Sequence, residues 1–304
     1  MPSYRNLSNS RQWKSTIGIS EKQFWILTSK FQIVYEKVFE NTLSEKEKNL
    51  KQNFVFSTYE DILFFLLFFL KNPVVFDTLG FIFGMDGSNS QRIVAKLMPV
   101  LERTLSDANL IPIRNFKDLE QFKQHMESNT EIIIDATEMC IQRPADNQKQ
   151  KDFYSGKKKR HTVKSLVITD ATKFILYMGD IVFGKVHDFS MLQNEFKPET
   201  PWFITHRVRI DLGFQGFEKI YKTLETFIPV KKKRVKKGEK SELTPEQKEQ
   251  NKQYGKERIL VEHSIGGAKR YRILIDRLRY KSLSFINSVV GICAGLWNFT
   301  LTYK

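Results

Sequence analysis

The chain has 304 residues, of which 41% are hydrophobic, so it is long enough and apolar enough for one large folded domain or two ordinary ones. This composition excludes a disordered tail. The formal net charge of +15 predicts a polyanionic partner, which is either a nucleic acid or an anionic membrane surface.

Apolar runs and cysteines narrow the choice of partner and compartment. The longest apolar run, residues 62–70, falls well short of the roughly 20 residues that a membrane-spanning helix needs, and no secretory signal opens the chain. We therefore expect a nucleic acid and no membrane. Cys140 and Cys293 stand far apart, which indicates neither a disulfide framework nor a cysteine zinc site. A reducing, cytoplasmic location is expected, at the nucleoid in a bacterium or in the nucleus of a eukaryote.

The first 110 residues are predicted to form a helical domain. Residues 1–19 are polar and are expected to be irregular. Ser20 and Gln23 form the signature of a capping box, which predicts a helix from there to about residue 39. The apolar residues that recur on one face of this helix are Phe24, Leu27, Phe31, Val34 and Val38.

The next segments predict a pair of helices joined by a glycine turn. The charged residues 44–52 are expected to be a solvated helix end or a linker, and residues 58–70 a very apolar helix. Residues 74–83 predict a short helix and residues 84–87 a turn. Ser88 is expected to cap a longer helix that ends near residue 105.

This longer helix has an apolar face and a polar face, as a helix that enters a DNA groove would have. The apolar face contains Ile93, Leu97, Leu101 and Leu105. The polar face contains Ser88, Asn89, Gln91, Arg92 and Lys96. Any three-helix subdomain with a glycine turn gives the same pattern, but the basic charge favours a DNA-binding helix-turn-helix at about 57–105, within a domain at 1–110.

Three acidic residues in the second half of the chain are candidates for chemistry. An apolar strand in EIIIDATE (131–138) ends on Asp135, and an alternating stretch ends on Asp211. Glu262 lies on a helix predicted at 258–274, where Arg258, Glu262 and Lys269 fall within about 40° of one another. Each acid could instead act alone, as a cap, a turn residue or an ion-pair partner.

A hard divalent cation is the physical reason to bring three carboxylates together. Mg²⁺ takes oxygen ligands and is commonly held by carboxylates together with phosphate oxygens of the substrate. Without a cation, two such charges 4 Å apart repel by about 4 kcal/mol at an effective dielectric near 20. Clustering of these acids therefore predicts metal dependence.

The remaining pattern predicts a mixed sheet covered by helices, which is an α/β (α+β) fold. The expected strands are 131–141, 163–169, 173–183, 203–211 and 225–230, with a hairpin turn at 170–173 and a helix at 188–197. Asp188 is expected to be the N-cap of that helix in preference to a catalytic residue. Residues 283–301 predict an apolar core helix.

Two basic runs complete the pattern. Residues 157–160 (KKKR) precede His161. This run is either a solvated loop or a phosphate-binding segment, and its position beside Asp135 favours phosphate binding. Residues 231–237 (KKKRVKK) open a polar stretch that predicts a mobile insertion at about 231–252, with a localisation signal as the alternative.

Motifs spread over residues 131–280 carry a resemblance to a known family. They are IIIDATE around Asp135, QRP at 142–144, YSGKKKRHT at 154–162, GKVHD at 184–188, DLGFQG at 211–216, and LTPEQKEQN leading into RILVEHSIGGAKRYRIL. In this order they resemble the DDE transposases of bacterial insertion sequences, in the insertion-sequence-five family that is related to eukaryotic Harbinger elements.

The resemblance implies a fold and a set of site residues. It implies an RNase H-like catalytic domain at 131–304 behind the helix-turn-helix, with Asp135, Asp211 and Glu262 as catalytic residues and metal ligands. Arg258 and Lys269 match a signature of related enzymes, but Gly255 stands where that signature has tyrosine, and Tyr254 lies one position earlier. Leu212 stands where the family often has lysine.

The resemblance also implies a reaction and partners. They are Mg²⁺-dependent cleavage and strand transfer at the terminal inverted repeats of an element, with two metal ions, Mn²⁺ able to substitute, and a homodimer or larger assembly on double-stranded DNA. Residues expected to contact DNA are Ser88, Asn89, Gln91, Arg92, Lys96, Lys157, Lys158, Lys159, Arg160, His161, Arg258 and Lys269. The alternatives are a DNA-binding regulator that has lost turnover and a metal-dependent endonuclease without strand transfer.

Overall fold

The computed structural model describes residues 2–45, 55–232, 242–280 and 282–304. Most of the charged segment 44–52 and most of the basic run 231–237 lie outside these residues. The chain divides into two compact units, Met1–Ile111 with Gly267–Lys304 and Pro112–Gly266.

The elements used below are numbered in chain order. The helices are α1 (Ser10–Thr16), α2 (Glu21–Phe39), α3 (Tyr59–Lys71), α4 (Phe76–Phe83), α5 (Gly87–Asp107), α6 (Leu119–Met126), α7 (Asn147–Phe153), α8 (Asp188–Glu195), α9 (Phe217–Ile220), α10 (Pro245–Lys269) and α11 (Leu283–Thr302). The strands are β1 (Glu131–Cys140), β2 (Tyr154–Ser155), β3 (Arg160–Thr169), β4 (Ile175–Met178), β5 (Val182–Phe183), β6 (Arg207–Arg209) and β7 (Glu225–Phe227). Short 3₁₀ turns lie at Tyr4–Asn6, Leu212–Phe214 and Arg272–Leu274.

The capping box predicted for α2 is confirmed. The Gln23 amide donates to Ser20 Oγ at 3.3 Å, and the Ser20 amide donates to Gln23 Oε1 at 2.9 Å. The apolar face of α2 is buried as predicted except at Val38, which is half exposed. The expectation of an irregular start is wrong, because Asn9 caps α1 and Trp13 on that helix is buried.

Helices α4 and α5 are joined by the expected tight turn, in which Gly84 adopts a positive φ of 67°. The N-cap of α5 is Asp86 and not Ser88, because Asp86 Oδ1 accepts the Asn89 amide at 2.7 Å. The predicted apolar face of α5 is buried. On its polar face, Lys96 Nζ lies 5.2 Å from the centre of the Phe39 ring.

Helix α11 is a buried core helix, as predicted, but it belongs to the first unit. Ser288 Oγ donates to Glu102 Oε2 at 2.6 Å, and Asn298 Nδ2 donates to the Leu110 carbonyl at 2.9 Å. By length and composition alone α11 could cross a membrane, but most of its surface is buried within the fold. The sequence-based boundary assigned residues 267–304 to the second domain, whereas these contacts unite them with the N-terminal helices.

The second unit is built on a mixed sheet, as predicted. Its order is β2-β3-β1-β6-β7, with β4 and β5 also paired to β3. Strand β1 is antiparallel to β3 and parallel to β6, and β6 is parallel to β7. Large side chains from α6, α8 and α9 share one buried cluster with the sheet, including Phe122, Met191, Leu192 and Phe217.

Several element boundaries differ from the sequence predictions. The strand expected at 173–183 is divided into β4 and β5, and the strand expected at 203–211 is reduced to β6. Trp202 and Phe203 fill the buried cluster instead of pairing with a neighbouring strand. The N-cap of α8 is His187 and not Asp188, because His187 Nδ1 accepts the Phe189 amide.

Helix α10 begins well before the predicted position. Thr244 and Gln247 form reciprocal bonds, since the Thr244 amide donates to Gln247 Oε1 at 3.0 Å and the Gln247 amide donates to Thr244 Oγ1 at 3.2 Å. The predicted insertion at 231–252 is therefore wrong from Pro245 onward. The helix also ends earlier than expected, at Lys269.

Candidate active site

Strand register brings Asp135 and Asp211 together. Strands β1 and β6 run parallel, with Ile133 opposite Arg209, and each aspartate lies two residues beyond this last pair. The prediction that the strand ends on Asp135 is wrong, because β1 continues to Cys140 through its pairing with β3. Strand β6 ends at Arg209, and Asp211 caps the 3₁₀ turn that follows it, close enough to Asp135 for its charge to act on that carboxyl.

The two aspartates are held in the same way. Asp135 Oδ1 accepts the Ala136 amide at 2.8 Å, and Asp211 Oδ1 accepts the Gly213 amide at 2.6 Å. In both residues the main chain fixes one carboxylate oxygen. The second oxygen, Oδ2, faces a shared cation, the Arg258 guanidinium.

Helix α10 is anchored to the sheet next to these acids. Arg209 Nε donates to Glu131 Oε1 at 2.5 Å, and Arg209 Nη1 pairs with Glu257 on α10. On the following turns of α10, Val261 is fully buried and Ser264 Oγ donates to a main-chain carbonyl between β3 and β4 at 2.8 Å. These contacts orient α10 so that its face with Arg258 and Glu262 lies toward the aspartates.

Arg209→Met is expected to lower the free energy of unfolding by about 2 kcal/mol, because it removes two charge-assisted hydrogen bonds of a largely buried guanidinium. Urea denaturation measures the loss. The matched control is Arg207→Met on the same strand, whose exposed pair with Glu225 spans 3.6 Å and is worth about 0–1 kcal/mol. Equal losses in both variants would contradict the anchoring role.

The three predicted acids converge on Arg258. Arg258 Nη1 lies 3.4 Å from Asp135 Oδ2 and 3.6 Å from Asp211 Oδ2, and Nη2 donates to Glu262 Oε1 at 2.8 Å. The offset of four residues on α10 places Arg258 and Glu262 on one face, as predicted. Glu262 is about half exposed, whereas Asp135 is 16% exposed.

The pKa of Asp135 is raised well above its ordinary value. Burial raises the pKa of Asp135 to about 6, and the neighbouring charges of Asp211 and Asp188 also raise it. The Ala136 amide and the Arg258 guanidinium act in the opposite direction. Because burial is the largest of these effects, the Arg258 guanidinium does not fully offset the cost of ionising Asp135.

The donor set fits a hard divalent cation in its chemistry. Across the described ranges, no group of three or more His, Cys, Asp or Glu side chains is placed to hold a metal ion. Three carboxylates nevertheless contact one cationic group, and oxygen ligands of this kind are those that Mg²⁺ takes. In this arrangement the guanidinium is the cation that compensates their charge.

Comparisons with known proteins show the family of the chain. Residues 134–298 match the family of DDE superfamily endonucleases. The chain is 32% identical over 223 residues to a probable transposase for insertion sequence element IS702 from Microchaete diplosiphon. The aligned region covers 73% of this chain and 74% of that protein. This chain belongs to the DDE transposases of insertion sequences. No solved structure matches it.

The basic run of this DDE transposase forms an exposed turn. Residues 156–159 connect β2 to β3, and Lys159 adopts a positive φ of 51°. The side chains of Lys157, Lys158, Lys159 and Arg160 are exposed. His161 pairs with Tyr154 across β2 and β3, and partial burial lowers the pKa of its imidazole.

The other predicted DNA-contact residues lie on helices. Ser88, Gln91, Arg92 and Lys96 are exposed on α5 and Asn89 is partly exposed, whereas Lys269 is the last residue of α10 and belongs to the first unit. Of the predicted residues, the second unit therefore brings together Arg258 and the three acids. Tyr254 packs edge-on against Phe227 and its hydroxyl accepts from Gln250 Nε2 at 2.8 Å.

One residue at this candidate site was not predicted as functional. Asp188, the first residue of α8, lies near both aspartates, and Lys164 on β3 holds it with an ion pair of 2.9 Å. The sequence offered two signals, the HD dipeptide in GKVHD and a lysine, Lys164, inside a predicted strand. Neither signal shows the proximity of Asp188 to Asp211.

Proposed function

We propose that this chain is an active DNA transposase that binds the terminal inverted repeats of its element, cuts the DNA there and joins the freed ends to target DNA. The observation that carries the proposal is the convergence of Asp135, Asp211 and Glu262 on the Arg258 guanidinium. Membership in the DDE transposases supports a nuclease or transposase activity in general terms.

We further propose that the mixed sheet is an RNase H-like fold. Three strands support this, since β3, β1 and β6 place an antiparallel pair next to a parallel one. The first acid lies on the central β1, the second follows the adjacent parallel strand, and the third comes from a helix. This distribution suits a site that accepts a DNA backbone along the edge where β6 ends.

The proposed division of labour follows from the contacts. Asp135 and Asp211 would hold Mg²⁺ with the oxygens that now face Arg258, and Glu262 would complete the set; two ions are proposed, and Mn²⁺ would substitute. When bound, Mg²⁺ stabilises charge on the transferring phosphoryl group and favours ionisation of the attacking water. Arg258, released from the carboxylates, is placed to bind a phosphate of the DNA strand.

The test is a cleavage assay with the purified protein and a labelled element end taken from the DNA that flanks the gene. Nicked and joined products are scored with and without Mg²⁺. Mg²⁺-dependent cutting with joining supports the transposase. Cutting without joining would point to a plain endonuclease, and binding without cutting under any metal would favour the regulator.

We propose that two basic surfaces contact the DNA. The exposed turn at 156–159 would bind phosphates, and the polar face of α5, as the second helix of a helix-turn-helix, would reach base edges. The net charge of +15 suits such a partner. Since two ends must be joined, we propose a dimer or larger assembly on DNA.

Binding to the element end is expected to fall steeply with salt. If the protein contacts about 6 to 10 phosphates, affinity drops roughly 10³ to 10⁵-fold between 50 and 200 mM salt. Arg92→Ala is expected to weaken binding further by about 10- to 100-fold, because Arg92 is exposed near the start of α5.

Fluorescence anisotropy with labelled end DNA measures both effects. The control is Arg103→Ala on the same helix, where the guanidinium pairs with Asp107 at 2.6 Å near the helix end. A flat salt response would contradict the phosphate interface. Equal affinity of Arg92→Ala and the unmodified protein would remove α5 from it.

A further inference from the structure

Asp188 is held by a buried lysine. The Lys164 side chain is only 9% exposed, and its Nζ donates to Asp188 Oδ1 at 2.9 Å and to the Val186 carbonyl at 2.8 Å. A buried ammonium group is costly unless it is paired and hydrogen-bonded, and removal of its partner leaves an uncompensated charge. This lysine therefore fixes the position of Asp188 at the start of α8.

The other oxygen of Asp188 faces the turn that carries Asp211. A Cβ atom added to Gly213 would lie 2.8 Å from Asp211 Oδ1 and 3.2 Å from Asp188 Oδ2. The two carboxylates thus lie beside the same glycine and come from two elements, α8 and the 3₁₀ turn after β6. The absence of a side chain at Gly213 is what lets them approach.

This placement restricts Asp211. Rotation of the Asp211 side chain toward α8 would bring two like charges together, which costs several kcal/mol at short range in a partly buried site. Asp211 Oδ1 is already fixed by the Gly213 amide, so Oδ2 stays directed at Arg258. The hydrogen bond from the Gly213 amide alone would leave the Asp211 side chain some rotational freedom, and the charge of Asp188 limits that freedom.

We propose that Asp188 is a positioning residue of the acidic site, held by Lys164 so that Asp211 presents one fixed oxygen to a divalent cation. The inference rests on the proposed function, because it assumes that Asp135 and Asp211 bind that cation. It differs from the sequence-based expectation, in which Asp188 only caps a helix.

The test is a titration of the full-length protein with Mn²⁺, in which the signal of the free ion is measured by electron paramagnetic resonance. Asp188→Asn is expected to raise the dissociation constant about 10- to 100-fold, the range for residues that support a metal ligand. In this variant the side-chain amide oxygen at position 188 still accepts a hydrogen bond from Lys164. The buried Lys164 ammonium nevertheless loses its counter-charge and repels the Mn²⁺ ion. Cleavage should recover as Mn²⁺ is raised, whereas a merely structural role would lower the melting temperature without changing Mn²⁺ affinity.

Three further variants make the result decisive. Asp152→Asn is the matched control, because Asp152 pairs with Lys185 at 2.6 Å outside this cluster, and it should bind Mn²⁺ as the unmodified protein does. Asp188→Glu keeps the charge beside Lys164 and so protects the fold, yet it moves the oxygen away from Gly213 and should weaken binding to a smaller degree. Asp135→Asn should weaken binding most.

Two outcomes separate this inference from the proposed function. Unchanged Mn²⁺ affinity in folded Asp188→Asn and Asp188→Glu, with a loss in Asp135→Asn, would overturn the role of Asp188 alone. Unchanged affinity in Asp135→Asn as well would overturn the proposed metal site itself.

Discussion

Asp135→Asn is expected to abolish cleavage of the element end and, at the same time, to make the metal-free protein more stable. The loss of cleavage should exceed about 100-fold, the upper range for residues that only support a metal ligand, because the substitution removes an oxygen that we propose binds the metal. DNA binding should stay near that of the unmodified protein, since Asp135 lies on a central strand and its main-chain hydrogen bonds do not change.

The gain in stability follows from the raised pKa of Asp135. Its folded-state pKa of about 6 lies above its ordinary value of 3.8, so the folded protein holds this proton more tightly than the unfolded chain. Stability linked to this group is therefore present below pH 4 and is lost as pH rises through about 6. The cost at neutral pH is on the order of 3 kcal/mol, and asparagine removes it.

Calorimetry in a chelating buffer at pH 5 and pH 8 measures this effect. The melting temperature of Asp135→Asn should exceed that of the unmodified protein at pH 8, and the difference should shrink toward acid. Asp152→Asn, which alters an acid outside the site, should show no such gain. Normal cleavage by Asp135→Asn would refute the assignment of the active site.

Arg258→Ala should change metal affinity and cleavage in opposite directions. Removal of the guanidinium leaves three carboxylates without their shared cation, so Mn²⁺ affinity is expected to rise by about tenfold or more. Cleavage should nevertheless fall by roughly 10²- to 10³-fold, because the proposed phosphate contact of Arg258 is lost at the charged transition state.

Mn²⁺ titration and single-turnover cleavage on the same preparation test this pair of effects. Arg272→Ala is the matched control, since its guanidinium also pairs with an acid four residues later, Asp276, at 3.6 Å. Neither quantity should change in that variant. A loss of Mn²⁺ affinity in Arg258→Ala would show that the guanidinium supports the metal site instead of standing in for the cation.

The sequence singled out the three acids that meet at Arg258 but not the contacts that bring them together. Residue type and an apolar strand pointed to Asp135 and Asp211, but the pairing of Ile133 with Arg209 aligns them, and strand partners are not encoded in a local pattern. Asp188 was missed for the same reason. Its neighbours come from β3 and from the turn after β6, which are distant in sequence.

Helix boundaries show where local signals were sufficient. The capping box at Ser20 predicted α2 correctly, and the same kind of signal at Thr244 and Gln247 was present but was outweighed by the polar composition around it. The assignment of 267–304 to the first unit could not be predicted locally. It depends on contacts such as that of Asn298 with Leu110.

The bonds from the Ala136 and Gly213 amides have a consequence for the choice of metal. The main-chain N–H on Oδ1 of each aspartate uses one lone pair of that oxygen, so coordination of an ion through Oδ2 alone is favoured over coordination through both oxygens. A small octahedral ion accepts such single-oxygen ligands and fills its other positions with water or phosphate, whereas Ca²⁺ prefers six to eight oxygens, often with a bidentate carboxylate. If the proposed metal site binds its ion through these oxygens, the backbone bonds favour Mg²⁺ and Mn²⁺ over Ca²⁺, even though all three ions carry the same charge.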